Sequence, residues 1–246
     1  MNYLISILLI IIIIFFAFLK PKFYKELFED SNNIDLYVIT LGKEERLENI
    51  KNQQKKINNK IQIFDAVYGL KLDVNDLKNN NILSDENTLS KDYKRKMGEI
   101  GCYLSHLNIY KKIKEDNKNG YTIIFEDDFL IKSDDLINDA KKAIDILNSK
   151  NINFDFLFLG NLKDNHGENI ADNLYYLDKN INLYGTHGYI INNKNIDKII
   201  DKLNIIKKPI DNSIEDLSYN MVFNTIVIYP NLVIQEGEFK STIRSD

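Results

Sequence analysis

Residues 121–130 read YTIIFEDDFL. Tyr121 to Phe125 is a run of aromatic and β-branched residues, too short for a helix and suited to a buried strand. It runs directly into Glu126, Asp127 and Asp128, three carboxylates at the strand's carboxyl end. In an open α/β sheet that end is where ligands bind. Clustered acids there repel one another unless a cation sits among them, and a hard divalent ion holding a substrate's phosphates is one resolution. A solvated turn, or the cap of a helix beginning near Ser133, is the other.

Similar runs flank this stretch. Asp35 to Leu41 (DLYVITL) reads as a first buried strand, broken by Gly42. Lys43 to Ile57 follows as a charged helix with Leu47, Ile50 and Ile57 on one side, and Ile61 to Ala66 (IQIFDA) as a second strand. Strand, helix and strand within about thirty residues is the signature of a parallel βαβ unit. Residues 71–96 are polar and rich in Asn and Lys, without periodicity, and are expected to form a loop. Met97 to Asp116 is the clearest helix, its apolar face made by Ile100, Tyr103, Leu104 and Leu107. Gly98 and Gly101 in its first turn make sense where backbone must approach closely. Beyond the acids, helices are expected over 134–148, over 195–203 and from about Ile214. Strands are expected over 154–159, 174–177, 183–191 and 225–229. The alternation predicts an α/β fold.

The chain has 246 residues and a net charge of −4. That charge is mild and unsegregated, which speaks against a nucleic-acid partner held by a basic face. The single cysteine, Cys102, excludes an internal disulfide and a cysteine-based zinc centre. It reads as a small buried residue or as a nucleophile. Residues 3–19 (YLISILLIIIIIFFAFL) carry no charge and meet Lys20, Pro21 and Lys22. As a helix they would span about 25 Å, enough for a thin membrane. The expected organisation is a single-pass N-terminal transmembrane anchor over 1–20, a stem over 21–33 and one domain over 34–246. A cleaved signal peptide is the alternative. Lys20, Lys22 and Lys25 after the span favour a cytosolic domain by the positive-inside rule, and the side of the membrane stays open.

Two residues invite a ligand reading on position alone. Arg46, one turn into the first helix, is placed either to meet a nucleotide phosphate or to sit exposed on the helix. Asp65, near the end of the second strand, is placed to contact a ribose or to shape a turn. Glu126 and Asp128, as an acid-x-acid pair on an extended chain, would point to one side and hold a metal, with His187 as a further ligand.

The stretches YVITLGKEERLENI, FDAVYGLKL, GEIGCYLSHLNIY, IIFEDDFLI, FDFLFLG and GTHGYIIN occur in this order. Together they resemble glycosyltransferase family 25, which includes lipopolysaccharide sugar transferases and procollagen galactosyltransferases. Phe154 stands where that family often has Trp, and Gly188 where a small Ala is common. The resemblance implies a GT-A fold, a Rossmann-type nucleotide-sugar-binding sandwich. It implies transfer of a hexose, galactose or glucose, from a UDP-sugar with inversion and with Mn²⁺ or Mg²⁺ as cofactor. The acceptor would be a glycan or a hydroxylated protein. Arg46, Asp65, Glu99, Ser105, His106 and Glu126 are the expected donor-binding residues, with Glu99, Ser105 and His106 lining the donor pocket or locking the loop beside it. Inversion needs a base for the acceptor hydroxyl, and Asp211, Glu215 and Asp127 are the candidates. A helix cap followed by a first-turn Glu is the alternative for Asp211 and Glu215. Two other functions compete: a metal-dependent phosphotransferase, which would gather more basic residues near the acids, and a membrane-tethered, non-catalytic binding member of the same fold.

Overall fold

A computed structural model describes residues 33–162, 166–178 and 183–237. The expected anchor and nearly all of the stem lie outside the described residues, and among those described no helix is long and apolar enough to cross a membrane. β1 (Ile34–Thr40) leads through α1 (Glu44–Gln54) to β2 (Gln62–Asp65), which lies parallel to β1. β3 (Tyr121–Glu126) runs parallel along the other edge of β1. The remaining strands of the sheet are β5 (Phe156–Phe158), β6 (Asn169–Ala171), β7 (Leu174–Tyr176), β8 (Gly188–Asn192) and β9 (Thr225–Ile228). Their order is β2-β1-β3-β8-β5-β9-β7-β6. The β3–β8 and β8–β5 pairs are antiparallel and β5–β9 is parallel, so the sheet is mixed. β4 (Phe129–Ile131) and β10 (Val233–Gln235) form a separate antiparallel ribbon.

Strand alternation divides the apolar side chains between two cores. Ile124 of β3 and Tyr189 and Ile191 of β8 face α3 (Tyr93–Glu115), α5 (Ile196–Lys202) and α6 (Ile210–Tyr219). Ile123 and Phe125 of β3 and Ile190 of β8 face the other way, against α1 and α4 (Leu136–Ser149). Covering both faces explains the unbroken apolar runs of the central strands. The result is a Rossmann-like α/β architecture.

The structure departs from the sequence reading in several places, beginning with the short strands β4, β6 and β10, which no pattern announced. The segment 71–96 contains α2 (Val74–Asn79), capped by Asp73, whose side chain accepts from the Asn75 amide. Only Leu77 of that helix is buried, so it offers no periodicity to read. α3 begins at Tyr93, capped by Asp92, and is buried on more than its predicted face, with Met97, Ile109, Tyr110 and Ile113 also in the core. β8 starts at Gly188 rather than near Leu183, because Gly185 takes a left-handed conformation (φ +84) and breaks the extended chain. α6 begins directly after Pro209 instead of near Ile214; a residue without an N–H costs nothing there.

Gly101 shows why α3 tolerates glycines. A Cβ on it would lie 2.6 Å from the Val67 carbonyl oxygen and 2.9 Å from the Gly69 amide. The chain after β2 is therefore seated directly on the helix. Ser105, one turn on, accepts from the Val67 amide at 2.8 Å and donates to the Gly101 carbonyl at 2.7 Å. Gly101→Ala is expected to push this loop off the helix and cost about 1–3 kcal/mol, measured by urea unfolding.

Candidate active site

β1 continues to β2 on one side and meets β3 on the other, so the carboxyl ends of β1 and β3 bound a crevice of the kind where open α/β sheets bind ligands. The acids sit there. Glu126 ends β3, while Asp127 and Asp128 form the turn into β4. The expected extended alternation of Glu126 and Asp128 is thus replaced by a strand end and a turn. Both carboxylates nevertheless reach one cavity.

A polar stripe on α1 fixes that turn. Arg46, Asn49 and Gln53 occupy the i, i+3, i+7 positions that normally carry apolar residues, and all three are buried. Arg46, 1 % exposed, places its guanidinium 3.3 Å from Asp127 and 3.2 Å from Asp128. It is neither an exposed helix charge nor a group aimed at the cavity; it is the cation among the acids. Asn49 donates to the backbone carbonyls of Asp127 and Phe129, both at 3.0 Å, and Gln53 accepts from the Ile131 amide. Thr40 at the end of β1 donates to Asp127 at 2.7 Å, and Gln235 of β10 donates to Asp128 at 3.0 Å.

Glu126 faces the opposite set of groups. Its Oε1 accepts from the Thr186 hydroxyl in a short hydrogen bond and lies 3.3 Å from His106 Nε2 and 3.9 Å from Cys102 Sγ. His106 is fully buried, and its Nδ1 lies 2.7 Å from the Tyr189 hydroxyl, itself 2.6 Å from that of Tyr110. Burial alone would raise the Glu126 carboxyl. Hydrogen bonding and charge from His106, with Thr186 and His187, reverse that and hold it below the usual carboxylate range.

Two cavities meet at Cys102 and Glu126, which line both. The larger, about 430 Å³, is faced by Glu99, Glu126, Asp128, Asp211 and Glu236 against a single arginine, Arg95. The smaller, about 100 Å³, lies at the ends of β1 and β2 between Thr40, Tyr68, Ser105, His106 and Asp127. Glu99 is held by the Ser90 amide and by Arg95. Ser105 and His106 are buried and touch the cavity from behind, Ser105 by anchoring its loop. Asp65 is exposed at the end of β2 and is not part of either lining.

Asp211 and Glu215 do lie one turn apart on α6, yet they do different things. Asp211 lines the larger cavity and accepts from the Gly185 amide at 3.1 Å. Glu215 is turned onto the Leu183 amide and lines a neighbouring surface groove of about 490 Å³ with Thr88, Arg95 and Lys208. Together the two carboxylates pin the segment that precedes His187. That His is 1 % exposed and stands behind Thr186, with Nε2 3.3 Å from the Val233 carbonyl oxygen. Its Nδ1 and Asp128 Oδ1 are buried without a hydrogen-bond partner among the described residues. The orphaned Asp128 oxygen and the carboxylates that face the larger cavity are oxygen donors of the kind a hard divalent cation takes, whereas His187 lines neither cavity.

Burial raises the carboxyls of Asp127, Asp128, Asp211 and Glu215 above their usual values, with Glu126 adding to the effect on the first three. A carboxyl raised in the folded state contributes stability that is present below its unfolded pKa of about 3.9 and lost as pH climbs through the folded value. Asp128→Asn removes one such group. In metal-free protein its melting temperature should therefore rise relative to the native chain as pH goes from about 4 to 7. A constant difference across that range would contradict the assignment.

Sequence reasoning missed Thr40, Asn49 and Gln235, and it placed Arg46 on the wrong partners. The spacing of Arg46, Asn49 and Gln53 was the available signal: a helical stripe of polar residues where a core face belongs.

The sequence profile of glycosyltransferase family 25 (LPS biosynthesis protein) matches residues 33–214. The chain is also similar to procollagen galactosyltransferase 1-A of Xenopus laevis, 27 % identical over 197 residues, which is 72 % of this chain and 30 % of that protein. The chain thus spans under a third of the length of that relative. The matched region begins at β1, runs to Ile214 of α6 and holds the lining of the smaller cavity and most of that of the larger, and on that match the chain belongs to glycosyltransferase family 25.

Proposed function

We propose that the chain is an inverting hexosyltransferase that takes its sugar from a UDP-sugar, galactose being the first candidate, and that its fold is of the GT-A type. The observation that carries this reading is the pair of cavities joined at Glu126. The small one at the ends of β1 and β2, rimmed by the half-exposed Tyr68 and Leu70, has room for part of a nucleobase, whose remainder would rest on that rim. The larger one, walled by carboxylates, suits a diphosphate–sugar only if a cation accompanies it. Glu126 and Asp128, which share the larger cavity, would hold Mn²⁺ or Mg²⁺, with His187 as a further ligand only if its ring turns toward them, and the ion would supply Lewis-acid neutralisation of the leaving diphosphate.

The chain's own residues account for the rest. The Asp211 carboxylate takes the proton of the acceptor hydroxyl as that oxygen forms its bond to the anomeric carbon, and the bond from that carbon to the diphosphate oxygen breaks. The raised basicity of a buried carboxyl suits this role, and the Gly185 amide holds its orientation. All three candidates accept hydrogen bonds, Asp211 from the Gly185 and Asn212 amides, but only Asp211 lines the larger cavity, which favours it as the base. The acceptor is a glycan or a hydroxylated protein, as the names of the family and of its relative suggest. We place residues 3–19 as the membrane anchor of this enzyme.

The test is incubation of the full chain in detergent with UDP-galactose and UDP-glucose, with and without Mn²⁺, and with saccharide and hydroxylated-peptide acceptors. Metal-dependent UDP release, with a β-linked product by NMR, is expected. An α-linked product would overturn inversion. Absence of turnover with every pair would favour the non-catalytic, membrane-tethered member of the fold.

A further inference from the structure

Cys102 and His106 lie one turn apart on α3, and Glu126 meets them from the end of β3. Their ligand atoms, Sγ, Nε2 and a carboxylate oxygen, all lie within 4.8 Å of one another. Among the described residues no other three such side chains come together this way. Tetrahedral zinc with bonds of about 2.0 Å to nitrogen and oxygen and about 2.3 Å to sulfur puts its N and O ligands about 3.3 Å apart and its S and O ligands about 3.5 Å apart. The corresponding separations here are 3.3 Å and 3.9 Å. The trio is close to a metal's dimensions before any metal arrives.

We propose that Cys102, His106 and Glu126 form a binding site for a thiophilic divalent cation, zinc or cadmium, with a fourth position open to the cavities. One thiolate and one imidazole make this donor set softer than the carboxylate wall of the larger cavity, so it selects zinc over manganese or magnesium. Counting cysteines excludes a zinc centre of the multi-thiolate kind; a mixed S, N, O site needs only one. The outer groups are in place as well. Tyr189, held by Tyr110, sits on His106 Nδ1 at 2.7 Å and fixes the ring with Nε2 toward the trio. When the metal takes Nε2, the imidazole proton moves to Nδ1 and is donated to Tyr189, whose hydroxyl turns to donate to Tyr110. The Cys102 thiol loses its proton to solvent as the sulfur–metal bond forms. Access comes from both sides, because Cys102 and Glu126 line both cavities.

The site itself is independent of the transfer reaction. Its consequence rests on that reading: Glu126 cannot serve zinc and the donor's cation together, so zinc would inhibit donor binding.

The experiment is titration of the full chain in detergent with Cd²⁺, read by the ultraviolet thiolate-to-metal charge-transfer band, and with Co²⁺, read by its visible spectrum. Cys102 is the chain's single cysteine, so any thiolate band must come from it. The expected result is a band that saturates at one metal per chain, a tetrahedral cobalt spectrum, and loss of the band in Cys102→Ser. His106→Gln should weaken Cd²⁺ binding more than about 10-fold, and Tyr189→Phe by roughly 10-fold. If Cys102→Ser fails to fold, the native cobalt spectrum and His106→Gln decide. A folded native chain with no thiolate band, or a band indifferent to His106→Gln, would overturn the site. Neither result depends on donor binding, so the transferase reading stands or falls separately.

Discussion

Arg46→Leu is expected to destabilise the folded chain by about 3–5 kcal/mol, the cost of leaving buried charges without their partner. The guanidinium lies between Asp127 and Asp128, whose side chains are only 17 % and 12 % exposed. Burial and the neighbouring acids already push both carboxyls up, and among the described residues Arg46 is the cation paired with them. The turn that presents the acids should loosen, since only Asn49 and Gln53 would still tie it to α1. Urea unfolding measures the loss. Combining Arg46→Leu with Asp127→Asn and Asp128→Asn should recover most of it, because the charges that need pairing are then gone. A loss below about 1 kcal/mol for Arg46→Leu would mean that the pairs are effectively solvated.

Asp211→Asn is the matching prediction for turnover. Asp211 accepts from the Gly185 and Asn212 amides; an asparagine carbonyl oxygen turned to Gly185 keeps the first of these, so the segment leading to His187 should keep its place. What disappears is a carboxylate able to take the acceptor proton. The expected outcome is a fall in kcat of roughly 10²- to 10⁴-fold with little change in the KM for donor and a melting temperature close to that of the native chain. Glu215→Gln provides the contrast. Its carboxylate is tied to the Leu183 amide, so it should alter stability and leave kcat within a few-fold of the native value. The reverse pattern would move the base from Asp211 to Glu215.

The elements that pattern reading found are those in which side-chain period and burial agree. β1, β3, β5, β8 and β9 are apolar runs with helices on both sides, and α3 through His106 and Tyr110 carries the most recognisable motif. The placement of the acids at the end of β3 followed from the same reasoning. The rest was hidden for physical reasons. α2 buries one residue and so has no period. Gly185 gives no sign in the sequence that it will turn the chain before His187 instead of extending it. Arg46 is a lone charge on a charged helix, and its partners are about eighty residues away. Even the partition between Asp211 and Glu215 depends on which of two equivalent-looking carboxylates, each held by a loop amide, also faces the larger cavity. Spacing puts both on one face of α6; only the loop's path distinguishes them.

The measurement closest to the central claim is thermal unfolding of the full chain with UDP-galactose, UDP-glucose and other nucleotide sugars, with and without Mn²⁺, on native protein and Asp128→Ala. A ligand that binds only the folded state raises the midpoint in proportion to its occupancy. A rise with one UDP-sugar that requires Mn²⁺ and is absent in Asp128→Ala is the predicted result. A well-folded native chain whose midpoint moves with none of them would contradict a donor site between β1 and β3.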